Sequence, residues 1–144
     1  MRTTLRIALT GAAALGMSLA TGTAYATPPG PGVTGKIIAQ STVGGTDYIL
    51  REITIQPGQS TGWHYHDGPV QGVVEQGVLS HFDATCKSDG TYASGDTITE
   101  SSGPGYVHLG RNLGTTPLVL KVLYALPHGA PLSEDAPNPG CPFQ

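Results

Sequence analysis

The chain has 144 residues, including 21 glycines and 12 prolines, with a formal net charge of −3. This length favours a single domain with its own core. The few Lys and Arg residues are scattered, so we expect neither nucleic acid nor a membrane surface as a partner.

The first 26 residues predict a secretory signal peptide. Arg2 and Arg6 give a positive start, residues 7–20 are apolar, and Ala24, Tyr25 and Ala26 form a cleavage motif with small residues at its key positions. The apolar run is shorter than the ~20 residues that a membrane span needs, which disfavours an anchor. We therefore expect a secreted protein that is cleaved near Ala26.

The rest of the chain predicts an all-β barrel or sandwich. A flexible Pro/Gly segment (27–35) precedes short alternating segments that are separated by turn residues. We expect the barrel over residues 36–127, with strands near 36–40, 47–55, 62–66, 70–75, 78–83, 97–100, 105–109 and 118–125. Residues 128–144 are predicted to be a Pro-rich C-terminal tail, and no segment after residue 26 has a helical period.

The two cysteines, Cys86 and Cys141, both follow the predicted signal peptide. In an oxidising compartment they predict a disulfide bond that ties the tail to the barrel. Two free thiols, or a thiolate that binds metal, are the alternatives, although the wide spacing of the cysteines is unlike that of a zinc site.

His64 and His66 stand one residue apart in a predicted strand. Their side chains should therefore point to the same face. Inside a barrel, two converging imidazoles would make good ligands for a transition metal. On the outside of a barrel, the same pair would have no particular meaning.

Two motifs surround these histidines. Gly58, five residues, His64-Tyr65-His66 and then Gly77 after a short apolar strand resemble the first motif of the cupins. Downstream, Pro104, Gly105, His108 and Asn112 resemble the second cupin motif, and the resemblance extends over residues 53–125. It implies a double-stranded β-helix, the jelly-roll barrel of that family. It also implies a divalent transition metal (Fe, Mn, Zn, Ni or Cu) that is held by His64, His66 and His108.

The sequence departs from the cupin pattern at one ligand. Cupins usually carry a glutamate three or four residues after the second histidine, where this chain has Val70 and Gln71. Gln71 is therefore a weak candidate for a fourth ligand. Residues 100–103 lengthen the spacing before His108, and we expect them to form a turn at the barrel mouth without a ligand role.

Two further residues are weak candidates for moving a proton near the metal. His81 should face inward on the strand after Gly77, although a histidine that is hydrogen-bonded to a carbonyl is the simpler interpretation. Tyr106 lies two residues before His108, so it should share the inward face.

Fold alone does not determine function. The first hypothesis is a metal-dependent enzyme of dioxygenase, isomerase or lyase type that acts on a small organic molecule. The second is a non-catalytic protein that binds or stores a metal or a small ligand, and a third is a barrel without metal. Because cupins often pair through their sheets, the resemblance also allows a homodimer.

Overall fold

The structure of the protein is a computed structural model that describes residues 29–144. The predicted signal peptide, residues 1–26, lies outside this range. Within the described range there are only strands, turns and irregular segments, which confirms the all-β prediction. No helix in these residues is long and apolar enough to cross a membrane.

Ten strands form in residues 29–144. In chain order they are β1 Val33–Val43, β2 Thr46–Ile55, β3 His64–Tyr65, β4 Val70–Gln76, β5 Val78–Asp83, β6 Ser88–Ala93, β7 Thr97–Glu100, β8 His108–Arg111, β9 Leu118–Pro127 and β10 Glu134–Asp135. They form two five-stranded antiparallel sheets. The first has the order β1-β2-β9-β4-β7, and the second has the order β10-β3-β8-β5-β6.

The main core lies on the inner face of the first sheet and follows from the alternation of its strands. In β9 every second side chain is buried, from Leu118 through Leu120, Val122 and Tyr124 to Leu126. These side chains pack with buried residues of β2, β4, β5 and β7, namely Ile53, Ile55, Val70, Val74, Leu79 and Ile98. The first sheet therefore presents an apolar wall to the histidine-bearing sheet.

A second, smaller cluster joins the C-terminal residues to the barrel. Trp63 and Leu109 are fully buried against Ala136 and Cys141. The Trp63 ring also stacks on Phe143, with 6.0 Å between the ring centroids. The predicted disulfide is confirmed, since Cys86 and Cys141 are bonded with 5.4 Å between their Cα atoms.

The structure corrects three predictions about the elements. The first strand begins at Val33, inside the segment predicted to be flexible, because Val33 pairs with Ile55 at the far end of the β1–β2 hairpin. The Pro-rich tail contributes β10, which pairs with β3. β6, Ser88–Ala93, was not among the predicted strands, and it forms because it pairs with β5 along its length.

Candidate metal centre

Three histidines meet between the two sheets. His64 on β3 lies directly opposite His108 on β8 in the ladder, and His66 follows two residues after His64. The centroid of the His64 ring lies 4.9 Å from that of His66 and 4.4 Å from that of His108. One nitrogen from each ring lies within 4.8 Å of the other two, and all three residues are buried.

Backbone carbonyls hold all three rings in one tautomer. His64 Nδ1 lies 2.9 Å from Gly62 O, His66 Nδ1 lies 2.7 Å from Leu132 O, and His108 Nδ1 lies 2.9 Å from Tyr106 O. A carbonyl oxygen can only accept a hydrogen bond, so each Nδ1 must carry the proton. In its neutral form each ring therefore has its lone pair on Nε2, the nitrogen that is left to bind a metal.

Glu100, at the end of β7, brings a carboxylate from the opposite sheet to the histidines. Its Oε2 lies 3.1 Å from His66 Nε2 and 3.4 Å from His108 Nε2. The strand register explains this position, because Glu100 pairs with Val70 of β4. The carboxylate thus lies on the side of the site that borders β4, where Gln71 was predicted as a fourth ligand.

Glu100 is the functional candidate that the sequence analysis missed. Residues 100–103 were predicted to form a turn at the barrel mouth, and that placement is wrong for Glu100, which ends β7 with its carboxylate against the histidines. The alternation of β7 contained the signal: Ile98 is buried while Thr97 and Thr99 are exposed, so Glu100 shares the inward face of Ile98.

Gln71, the predicted weak fourth ligand, does not reach the site. Its side chain is exposed, and it lines a groove on the outer surface with Leu50 and Leu123. Alternation along β4 gives the reason, since the neighbouring Val70 takes the inward position and is 2 % exposed. The prediction for Gln71 is therefore wrong, and Glu100 supplies the carboxylate instead.

His81 on β5 lies behind Glu100. Its Nδ1 is 2.6 Å from Asp89 Oδ1, and its Nε2 is 3.4 Å from Glu100 Oε1. Its ring also stacks on that of His108, with 5.0 Å between centroids. The simpler prediction, a hydrogen bond to a carbonyl, does not describe His81, because a carboxylate holds its Nδ1. This arrangement lets His81 orient Glu100 through the carboxylate oxygen Oε1.

Tyr106 lies beside His108, with 5.1 Å between the ring centroids. Its carbonyl orients His108, as described above, but its half-buried side chain does not line the central cavity. Burial, together with the negative charges of Asp89 and Glu100, raises the pKa of its hydroxyl. At neutral pH Tyr106 can therefore only donate a proton, and it lies at the edge of the site.

The protonation states suit a cation. Burial, with the charges of His108 and His66, lowers the pKa of His64 to about 3. Burial would raise the pKa of Glu100, but His108, His66 and His81 outweigh burial when their Nε2 atoms carry a proton toward the carboxylate, and they hold that pKa well below its ordinary value. At neutral pH the site therefore contains a neutral His64 and an ionised carboxylate.

A small cavity adjoins these groups. It has a volume of about 50 Å³ and is lined mostly by apolar side chains. Its polar lining residues are Thr61, His64, His66, His81, Glu100 and Tyr124. A space of this size holds only a few water molecules or the reacting end of a small molecule. Its polar groups are therefore concentrated around the point where the histidines converge.

The donor set fits a divalent transition metal. Three imidazole nitrogens and one carboxylate are ligands that Zn, Fe, Mn, Ni and Cu accept. The Nε2 atoms of His108 and His81 are buried, and each lies 3.4 Å from a Glu100 oxygen without forming an aligned hydrogen bond to any group among residues 29–144. A buried polar atom without a hydrogen bond lowers the stability of the fold. A cation bound to His108 Nε2 would give this atom a partner.

Comparisons with known proteins give the fold but no closer relationship. No protein-family model matches the sequence, and no curated protein matches it. A double-stranded β-helix protein from Klebsiella pneumoniae is 18% identical, with 78% of this chain and 90% of that chain covered at a TM-score of 0.60. The polyketide cyclase RemF from Streptomyces resistomycificus is 18% identical, with 78% of each chain covered at a TM-score of 0.61.

A cupin-like protein from Thermotoga maritima is 20% identical, with 74% of this chain and 77% of that chain covered at a TM-score of 0.59. Together with the two sheets described above, these similarities confirm that the chain has the fold of a small, single-domain cupin.

Proposed function

We propose that this cupin-fold chain binds one divalent transition-metal ion through His64, His66, His108 and Glu100, and that it acts as a metal-dependent enzyme on a small organic molecule. The observation that supports this most strongly is the set of three Nδ1 bonds to backbone carbonyls. These bonds leave three Nε2 atoms aimed at one buried point beside an ionised carboxylate.

The metal would supply Lewis acidity to a bound substrate oxygen or water. The residues of the chain prepare the site for this. The apolar walls limit water, and the carbonyls fix the imidazole rings. Asp89 and His81 hold Glu100 in position through the contacts at 2.6 Å and 3.4 Å.

His81 is also the residue best placed to hold a proton near a substrate. Burial opposes its charged form, but the carboxylates of Glu100 and Asp89 outweigh burial and raise its pKa. Because His81 lines the central cavity, it can donate a proton to a substrate there while Asp89 balances its charge.

The metal part of the proposal is tested by titrating chelator-treated protein with Mn²⁺, Co²⁺ and Zn²⁺ and measuring bound metal by elemental analysis. We expect one ion per wild-type chain. His108→Ala should lose the ion, and Glu100→Gln should bind it more weakly. His128→Ala is the matched control, because His128 is exposed and pairs only with Asp47 among the described residues. Equal metal content in His108→Ala and wild type would refute the proposed site.

A non-catalytic protein that binds or stores metal is the second candidate function, and the small volume of the cavity favours it. An activity screen of metal-loaded protein distinguishes the two functions. An enzyme should turn over a substrate in the wild type and lose this activity in His108→Ala. A storage protein should bind metal with the same residues and show no activity that depends on His108.

Secretion belongs to the same proposal. The disulfide between Cys86 and Cys141 supports an oxidising compartment, as the predicted signal peptide requires. Mass analysis of the protein from its own host should show a mature chain that begins near Thr27. An intact chain that begins at Met1 inside the cell would contradict secretion.

A further inference from the structure

Arg51 places a cation in a row of apolar side chains. In β2 the side chains of Ile49, Ile53 and Ile55 belong to the core or pack against it. Arg51 has the same parity, so it points to the same face. Glu52, the next residue, points to the opposite face.

The Arg51 guanidinium lies over the backbone of β1. A methyl group added at Gly35 would overlap its Nη2, Cζ and Nε atoms. Arg51 also lies near the hydroxyl of Tyr124, a residue that is 4 % exposed, and its charge acts on that hydroxyl. The absence of a side chain at Gly35 and the presence of Tyr124 thus hold the guanidinium in one place.

This guanidinium faces a second cavity beside the histidine site. The cavity has a volume of about 100 Å³, and Arg51, Tyr124 and Ser133 contribute polar groups to its wall. It adjoins the central cavity, since His64, His66 and Tyr124 line both. The second cavity therefore shares part of its wall with the histidine site.

Arg51 has no acidic partner in the part of the chain that the structure describes. None of the ion pairs found there includes it. The Tyr124 hydroxyl does not balance the charge, because a tyrosine is neutral at pH 7. A half-buried cation with only a neutral partner is costly unless an anion joins it.

We infer that Arg51, with Tyr124 and Ser133, forms a subsite for the carboxylate of a small organic acid, whose other end lies at the histidine site. This inference rests on the proposed metal centre and adds the class of its substrate. The planar fork of a guanidinium matches the two oxygens of a carboxylate. The two cavities, of about 100 and 50 Å³, favour a compact acid over a larger molecule.

Binding calorimetry on Zn²⁺-loaded protein tests the subsite with acetate, pyruvate and lactate, with lactamide as the uncharged analogue of lactate and with inorganic phosphate. We expect at least one carboxylate to bind, and lactamide to bind more weakly than lactate. Arg51→Gln should weaken carboxylate binding by about tenfold to a hundredfold, the effect of losing hydrogen bonds to a charged group. Arg51→Lys should weaken it less, because the charge remains while the fork is lost.

Two more variants separate the subsite from general effects. Lys87→Gln removes the same charge from an exposed position and should bind carboxylates like the wild type. Gly35→Ala keeps every charge but displaces the guanidinium, so it should lose affinity as Arg51→Gln does. Urea unfolding of each variant verifies that it is folded.

The outcomes distinguish the subsite from the metal centre. If Arg51→Gln binds metal and carboxylates like the wild type, or no carboxylate binds at all, the subsite is refuted while the metal centre stands. If phosphate is the preferred Arg51-dependent ligand, the assignment to carboxylates is overturned. If the wild type holds no metal but still binds carboxylates through Arg51, the subsite stands and the proposed function fails.

Discussion

The disulfide connects the stability of the chain to the geometry of the histidines. Replacing both Cys86 and Cys141 by alanine opens a loop with a sequence separation of 55 residues. In the chain-entropy treatment, closing a loop of this size contributes about 4 kcal/mol to the free energy of unfolding. We therefore expect the free energy of unfolding of the double variant to be about 4 kcal/mol lower than that of the wild type.

We expect the loss of stability to weaken metal binding as well, because the C-terminal tail pairs with the short strand β3, which carries His64. Asp135 of β10 pairs with His64, and the Leu132 carbonyl holds His66. The other ladder contact of β3 is the single pair between His64 and His108. With the crosslink gone, the tail can detach more easily, so metal affinity should fall together with stability.

Urea unfolding, with wild type and reduced wild type as references, measures the change in stability, and a metal titration measures the affinity. The reduced wild type should resemble the double variant. A loss of less than ~1 kcal/mol, far below the chain-entropy value, would show that the crosslink does not stabilise the fold in this way. Unchanged metal affinity in a destabilised variant would show that the tail does not support β3.

Three further predictions concern individual side chains. Asp47 accepts hydrogen bonds from Thr42, the Gly129 backbone and His128, in that order of effect, and they lower its pKa from 3.8 to about 2. The ionised form is favoured in the folded state, so the stability advantage of wild type over Asp47→Asn should be full above pH 4 and disappear as the pH falls to 2. A difference in urea midpoints that stays constant over this range would contradict it. Leu118 is 0 % exposed, so Leu118→Ala should lower the free energy of unfolding by about 2–5 kcal/mol; a loss below ~1 kcal/mol would place Leu118 outside a close-packed core. Asp89→Asn should retain one metal ion per chain but weaken its binding by about tenfold to a hundredfold, because Asp89 acts on Glu100 only through His81. Asp67→Asn, at an exposed position, should bind metal like the wild type, and equal affinities in the two variants would rule out this role for Asp89.

Local alternation in the sequence was enough to predict most of the strands. β5 and β7 both have the predicted bounds, because each short segment follows a turn that a glycine marks, at Gly77 and at Gly95. The motif resemblance correctly implied the cupin fold and selected three histidines that the structure brings together. Their role as metal ligands stays a prediction.

The remaining features depend on pairings between distant strands. β10 lies in a Pro-rich segment and exists because Glu134 pairs with Tyr65, which no local pattern shows. Glu100 had the inward parity of Ile98, but its proximity to the histidines follows from the register of β7 on β4. Arg51 likewise becomes part of a cavity only because the space above Gly35 receives its guanidinium.

The central claim is that His64, His66, His108 and Glu100 hold a single metal ion. Anomalous diffraction at the absorption edge of the metal, on crystals of protein purified from its own host, tests it most directly. The account predicts one strong anomalous peak within bonding distance of the three Nε2 atoms and of a Glu100 oxygen. A fully folded protein with no peak between these residues, or with its ion bound by other side chains, would contradict it.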